Sequence, residues 1–487
     1  MALPLVGEER GVSRTVDLAS ATVVVAGLGV SGRAAERALR PRARRVVTVD
    51  RDVPDADAAD LDATGLEGVD LVVVSPGWRP TTPLLVAARE AGVPVWSEVE
   101  LAWRLRVERS GGRGPAPWLA VTGTNGKTTT VEMLASILTA AGLRAAAVGN
   151  VGTPVVEAAL DPETDVLAVE LSSFQLHHTH SMAVLAGAVL NVAADHLDWH
   201  GSFEAYAADK GRIFAGAEVA CVYSVADATT ERLVREADVA EGARAVGLTN
   251  GVPGPSQLGV VEGVLVDRAF HAPADDPARA GHAEELATID DLARFANVDG
   301  DVPAHAVSNA LAAAALARAA GVPASAVREG LRAYAPGEHR IARVAQVDDV
   351  SYVDDSKATN AHAARASLLS FAAGSVVWIA GGLAKGATFD DLVLAVADRL
   401  RAVVLIGVDA APFADALARH APQVPVFRVD PGETGSVMRR AVEAARTLAA
   451  AGDTVLLAPA GASMDQFRSY AERGESFASC ARALPDA

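Results

Sequence analysis

Short runs of consecutive apolar, mostly β-branched residues recur along the chain. Each is followed by a polar or glycine-rich stretch and then by an alanine-rich stretch with helical spacing. Unbroken apolar runs, rather than alternating ones, predict strands buried on both faces, as in a parallel sheet covered by helices. The first block starts ATVVVAGLGVSG, residues 21–32, and continues with the helix pattern RAAERALR. Strands are expected at RVVTVD (45–50), LVVVSPG (71–77) and PVWSE (94–98). Residues 108–117, ERSGGRGPAP, have no periodicity and read as a linker.

A second block begins with an apolar strand at 118–121 and a helix pattern from Thr129. DVLAVEL (165–171) and AVLAGAVLNV (183–192) are further strands, followed by the polar loops SSFQLHHTH and AADHLDWHGS. AYAADKGRIFAG reads as a helix, and 304–321 as a long alanine-rich one stopped by Gly321 with Pro323 beyond. Residues 250–282, rich in Gly, Pro and Asp, read as a β excursion or a loop insertion. The third block, from about PGEHR (336–340), alternates the strands VSYVDD, SVVWIAGG, AVVLIGV and TVLLAPA with alanine-rich helices. The expected fold class is α/β in three domains, 1–114, 115–335 and 336–487. The outer two are Rossmann-like and the central one is a P-loop domain with a parallel sheet.

Composition narrows the function without choosing it. A length of 487 residues exceeds one ordinary core, and 50% hydrophobic against 21% charged residues describes a globular chain. The formal charge of -18 argues against a nucleic-acid binder, whose domains carry a basic patch. Cys221 and Cys480 lie too far apart for a metal or redox spacing and read as inert thiols of a reducing compartment. No apolar run is long enough for a signal peptide or a membrane span, so a cytoplasmic protein is expected.

The chemistry concentrates at VTGTNGKTTT, 121–130. A strand, a loop with Gly123 and Gly126 and a following helix aim backbone N–H groups at one point, as a bound phosphate requires. Gly123, Thr124, Asn125, Gly126, Lys127, Thr128 and Thr129 form that loop. Lys127 can reach the outer phosphates and Thr128 can hold Mg²⁺. Only two residues separate the glycines, against four in the usual P-loop. Glu170, ending the next strand, is the best second metal ligand. His196, at the end of another strand, either faces the same pocket or is structural, and spacing does not decide. Lys210 alone reads as a solvated helix lysine, and His177, His178 and His180 as exposed residues rather than a metal cluster.

In the first block Gly27, Gly29 and Gly32 with Asp50 match the dinucleotide fingerprint. In the third, the loops DSKATN, LAKGATF and GASMDQF follow strand ends and make a site for an acidic small molecule. The Lys385 loop reads as an anion grip, whereas Asp354, Asp355, Ser356 and Lys357 fit either a site or a charged turn.

GTNGKTTT, GNVGTP (149–154), ELSSFQL (170–176), NVAADHLDWHG (191–201), EHR (338–340), DDSKATN (354–360) and APAGASMDQF (458–467) occur in this order. Together they resemble the Mur ligase family over nearly the whole chain, and ELSSFQL with DSKATN resembles its D-glutamate-adding branch. The L-alanine-adding branch would carry His in place of Asn125, and the Asp-Asn-Pro-Arg motif of the diaminopimelate-adding branch is absent.

The resemblance implies an ATP-dependent amide ligase that joins D-glutamate to UDP-N-acetylmuramoyl-L-alanine through an acyl phosphate. It implies that Lys127 steadies the phosphates, that Thr128 and Glu170 hold one Mg²⁺, and that His196 and a carbamylated Lys210 serve a second. Asn309, Arg340 and Asp355 are the implied adenine and ribose contacts, with Ala306 where the family has Asn. Val30, Ser31, Asp50, Ser75 and Gly77 would meet UDP, with Asp52 where an Arg is usual. Asn150 and His196 would lie near the reacting end of that substrate. Lys357, Thr359, Lys385, Ser463, Met464 and Phe467 would receive D-glutamate. A monomer with small-molecule partners only is expected. The rivals are an NAD-dependent dehydrogenase, which leaves the phosphate loop unexplained, and a noncatalytic nucleotide-binding protein, against which Lys127, Glu170, His196 and Lys210 speak.

Overall fold

The structure, a computed structural model, describes residues 16–60, 63–150, 152–273, 276–296, 300–335, 337, 339–384, 386–432 and 434–485. Three sheets organise them. The first contains β1 (Thr22–Ala26), β2 (Arg45–Val49), β3 (Leu71–Val74) and β4 (Val95–Ser97), all parallel, in the order β2-β1-β3-β4.

The second contains β5 (Trp118–Thr122), β6 (Ala145–Gly149), β7 (Val166–Glu170), β8 (Ala186–Val189), β9 (Ala220–Ser224), β10 (Arg244–Leu248), β11 (Gln257–Val261), β12 (Val264–Asp267) and β13 (Glu284–Thr288). Their order is β13-β12-β11-β10-β9-β8-β5-β7-β6, parallel except at β12 and β13. The segment 250–282 thus contributes β11 and β12, which extend the sheet at the edge remote from β6.

The third contains β14 (Ala342–Val347), β15 (Val350–Asp354), β16 (Val376–Gly381), β17 (Leu400–Ile406), β18 (Val426–Arg428) and β19 (Thr454–Ala460), in the order β14-β15-β19-β16-β17-β18. Among the described strands of this sheet only β14 runs antiparallel to its neighbour.

Two expected boundaries move. The helix after the phosphate loop starts at Lys127, not Thr129, because Gly126 takes φ +85° and turns the chain directly into it. The strand at 94–98 ends at Ser97, whose hydroxyl accepts the Glu100 N–H and caps a helix, Glu98–Leu105. The segment 108–117 is tied down: Arg109 donates to the carbonyls of Gly114 and Asp165, and Glu108 bridges to Pro115.

One apolar cluster runs from the first sheet into the second, from Val25 and Leu71 through Trp96 and Val99 to Trp118, Leu167 and Ile213. Trp103 meets Trp118 edge-on at 5.1 Å within it. The opposite face of the second sheet is covered by Lys127–Ala140, Ala304–Ala319 and Ala324–Ala333. Alanine side chains and Gly330 permit this closeness; a Cβ on Gly330 would lie 2.3 Å from the Ile137 Cα. The third sheet has its own cluster on each face. Polar side chains around one cavity bond it to the central unit.

Candidate active site

Strands β5, β7 and β8 are neighbours in the central sheet, so the loops after them converge. Gly123 (φ +156°) and Gly126 allow the loop after β5 to fold tightly, and a Cβ on Gly126 would meet the Asn309 Oδ1 at 2.4 Å. Asn125 N–H donates to Asn191 Oδ1 at 2.9 Å, and Asn191 Nδ2 returns a bond to the Asn125 carbonyl at 3.1 Å. The Thr124 hydroxyl lies 3.0 Å from the Tyr206 hydroxyl. Side chains from two later segments therefore hold the loop in shape.

Lys127 Nζ folds back onto the loop and donates to the carbonyls of Gly123 and Thr124 at 2.8 and 3.0 Å. Burial lowers its pKa, while Glu170 and Asp195 oppose that shift. Lys210 is buried as well, donates to the same Gly123 carbonyl at 3.0 Å, and lies 4.5 Å above the Tyr206 ring. Burial, then the charge of Lys127, pushes its pKa well down. The residue that looked solvated in the sequence is thus buried against the phosphate loop, although it does not line the adjoining cavity.

Glu170 is 1% exposed at the end of β7. Asn150 Nδ2 donates to its Oε1 at 2.9 Å, whereas its Oε2 is buried with no hydrogen-bond partner among the described residues. An orphaned, buried carboxylate oxygen on a residue that lines the same cavity as Thr128 suits a hard cation. His196 occupies the left-handed region at φ +52°, with Nε2 3.6 Å from Asp195 Oδ2 and its ring edge-on to Phe174 at 4.8 Å.

Behind these groups lies a network that the sequence did not disclose. Asp209 accepts from His177 Nδ1 at 2.8 Å, His200 Nδ1 at 3.0 Å and Arg212 Nε at 3.1 Å. Bonds from these histidines hold its pKa down against burial. His200 Nε2 lies 3.0 Å from the Ser173 hydroxyl, and Phe174 stacks on the His200 ring. The segments after Glu170, after His196 and before Lys210 are thereby bonded together. His177 is half-buried, not exposed, and burial takes His178 down to about 3. Among the described residues no group of three or more His, Cys, Asp or Glu could hold a metal by itself.

A cavity of about 660 Å³ runs from this loop to the third sheet. Lys127, Thr128, Glu170, Asn150 and His196 line one side; Arg340, Asp355, Lys357, Thr359 and Asn360 line the other, with Asn309 between. Arg340 donates to the Thr129 hydroxyl and lies 3.5 Å from Glu132. Lys357 reaches the Thr128 hydroxyl at 3.4 Å, and burial takes its pKa down to about 8. Burial pushes the Asp355 carboxyl up to about 7. Asp195, Asn191, Asn360, His305 and His362, absent from the expected set, line the same cavity. Asn191, Asp195 and Asn360 fall inside quoted motifs, so membership of those motifs was the available signal.

Other expected residues lie elsewhere. Val30 is exposed and begins the helix Val30–Leu39; Ser31 is in its first turn. Asp50 accepts from Leu28 N–H at 2.6 Å and from Asp52 N–H, which lowers its pKa. Ser75 donates to the Gly27 carbonyl at 2.7 Å, and Gly77 lies exposed in the turn after β3. These five gather at one edge of the first sheet, outside the cavity. Ser463 is buried, Met464 exposed and Phe467 half-buried against the third sheet's core, and they do not line the cavity either. Lys385 and Glu338 lie outside the described residues.

Residues 121–251 match the Mur ligase middle domain, and residues 339–461 the Mur ligase glutamate ligase domain. The UDP-N-acetylmuramoylalanine--D-glutamate ligase of Streptomyces avermitilis is 62% identical, over 95% of this chain and 98% of the relative. The protein of the same name from Thermobifida fusca is 51% identical, over 96% and 100%. Among solved structures, MurF from Acinetobacter baumannii aligns over 96% of this chain and 92% of its own, with TM-score 0.55 and 17% identity. The UDP-N-acetylmuramate-alanine ligase of Thermotoga maritima aligns over 94% and 99%, with TM-score 0.52 and 18% identity. At such identity the structural likeness concerns the fold.

Proposed function

The chain belongs to the Mur ligase family, and from that premise we propose that it adds D-glutamate to UDP-N-acetylmuramoyl-L-alanine with conversion of ATP to ADP and phosphate. This is a step of peptidoglycan precursor synthesis. The alanyl carboxylate attacks the γ-phosphorus of ATP, ADP leaves, and an acyl phosphate forms. The D-glutamate amine attacks that carbonyl, the tetrahedral intermediate expels phosphate, and the nitrogen gives up a proton. A free carboxylate would have to expel oxide; the acyl phosphate expels phosphate. Catalysis is then mainly positioning and charge neutralisation.

The observation that carries this reading is the cavity, with the phosphate loop and Glu170 on one wall and Lys357 and Thr359 on the other. Lys127 exchanges its loop carbonyls for the β- and γ-phosphates. Asn309, Arg340 and Asp355 take the adenosine. Thr128 and Glu170 hold Mg²⁺, to which the orphaned Glu170 Oε2 is suited; His196 and a carbamylated Lys210 hold a second ion. When bound, the metal offsets charge on the transferring phosphoryl oxygens. Val30, Ser31, Asp50, Ser75 and Gly77 receive the UDP moiety, and Asn150 and His196 the reacting end. Lys357, Thr359, Lys385, Ser463, Met464 and Phe467 receive D-glutamate. The division 1–114, 115–335 and 336–487 follows these three tasks, carried out by a monomer in the cytoplasm. Among the described residues no helix is long and apolar enough to cross a membrane.

Phosphate release measured with UDP-N-acetylmuramoyl-L-alanine and a panel of amino acids tests the reading. Turnover is expected only with D-glutamate; equal turnover with L-alanine or diaminopimelate overturns it.

A further inference from the structure

Arg473, in the helix Tyr470–Arg482, is 1% exposed and outside the cavity, and the chemistry above does not use it. Its guanidinium donates three hydrogen bonds: Nε to Ser356 Oγ at 3.0 Å, Nη2 to the Ser356 carbonyl at 2.9 Å, and Nη1 to the Gly461 carbonyl at 3.0 Å. All three acceptors are neutral. The two nearby carboxylates are engaged elsewhere, Asp354 by His339 Nδ1 and Ser356 N–H, and Asp465 by Val408 N–H. Burial takes the guanidinium down to about 10, so it remains a cation at neutral pH.

Burying a cation whose hydrogen bonds all go to neutral acceptors, with Asp465 and Asp354 acting on it only through space, is unfavourable, and a hydrophobic side chain would fill a core position without that penalty. What arginine adds is a rigid fork that fixes several acceptors at once. Ser356 and Gly461 belong to two of the three loops that follow β15, β16 and β19. The third loop is locked to Gly461's: Leu383 and Ala462 exchange backbone hydrogen bonds at 2.9 and 3.0 Å. A Cβ on Gly382 would lie 2.4 Å from the Ala462 carbonyl and 3.3 Å from Arg473 Nη1. One guanidinium therefore bonds two of the loops and abuts the third.

We propose that Arg473 is the positioning residue that holds these three loops in the geometry that receives the carboxylates of D-glutamate. The inference rests on D-glutamate being the amino-acid substrate. Through Ser356 it sets Lys357, and through Gly461 it sets Ser463, while its positive charge favours an acidic ligand in front of the loops.

The test is steady-state kinetics of the full chain with each substrate varied in turn. Arg473→Met is expected to raise the D-glutamate KM about tenfold or more, with the KM for ATP and for the nucleotide-sugar moving less than about twofold. Ser356→Ala, which removes the Nε acceptor together with the bond that the Ser356 hydroxyl donates to the Tyr470 carbonyl, should raise the D-glutamate KM about threefold. Added methylguanidinium should lower the D-glutamate KM of Arg473→Ala. Loss of kcat or of melting temperature with an unchanged D-glutamate KM would reduce Arg473 to a core residue and overturn the proposal. Should the Arg473 variants not fold, an unchanged D-glutamate KM in Ser356→Ala overturns it equally. A wild-type enzyme inert toward D-glutamate would instead defeat the substrate reading, before any variant is compared.

Discussion

Lys127 and Lys210 donate to one acceptor, the Gly123 carbonyl, at 2.8 and 3.0 Å. Two ammonium groups so placed repel each other, and beyond the effect of burial the charge of Lys127 makes the Lys210 proton easier to lose. A deprotonated Lys210 is a free amine, and a free amine adds CO₂: the N–C bond forms, a proton leaves, and a carbamate remains. Its negative charge beside Lys127 would turn repulsion into attraction. Enzyme freed of bicarbonate should therefore lose phosphate-release activity and regain it when bicarbonate is restored. Lys210→Ala should lower kcat at least about 100-fold whatever the bicarbonate. Near-normal turnover in that variant would remove the assigned role.

Glu170 offers one oxygen to Asn150 and leaves the other buried and unpartnered among the described residues. A cation would satisfy that oxygen, so Mg²⁺ should raise the melting temperature of the enzyme bound to a nonhydrolysable ATP analogue. Glu170→Gln, equal in size but uncharged, should abolish the Mg²⁺-dependent part of the shift. An undiminished shift would place the cation elsewhere.

Asn125 and Asn360 face each other as reciprocal amides, with N···O distances of 3.2 and 3.1 Å, and Asn360 also donates to Asp195 Oδ2 at 3.2 Å. The pair joins the phosphate loop to the N-cap of Ala361–Leu368. Residues acting as one unit are not additive. Asn125→Ala and Asn360→Ala should each lower kcat/KM for ATP about tenfold, and the double variant should be little worse than either. Independent, multiplying losses would show that the pair is not a latch.

The buried-strand runs were legible because both faces of each sheet are covered, and apolar runs record that directly. The phosphate loop was legible because its chemistry is local: glycines, a lysine and a threonine in one decapeptide. Lys210 was not, since its burial depends on Tyr206, Gly123 and Asp209, and nothing in the spacing of a helix lysine reports them. Asp50 shows the reverse limit. The fingerprint identifies an acid at a strand end, yet here its oxygens are bonded to the N–H groups of Leu28 and Asp52. Arg473 and the His177–Asp209–His200 network escaped for the reason Lys210 did. The Arg473–Ser356 and His177–Asp209 bonds join different elements, 117 and 32 residues apart, and a sequence pattern carries no record of such pairings.

Glu98 opens the helix Glu98–Leu105 and is 2% exposed. Its Oε1 accepts from Val156 N–H at 2.6 Å, while its Oε2 is buried without a partner among the described residues. Burial pushes its pKa from the ordinary 4.5 up to about 7. Between these values the folded protein keeps a proton that the unfolded chain has released, so rising pH favours unfolding. The stability from the neutral carboxyl is complete below about pH 4.5 and is lost as pH rises through about 7. Glu98→Gln stays neutral throughout and lacks this slope. Urea unfolding of both proteins from about pH 5 to about pH 8 isolates the effect, because every other titrating group is common to the two. Relative to Glu98→Gln, the wild type should lose stability across that range, by about 3 kcal/mol at most. Parallel profiles would mean that the Glu98 carboxyl titrates as an exposed one does, and that water reaches it in the folded protein.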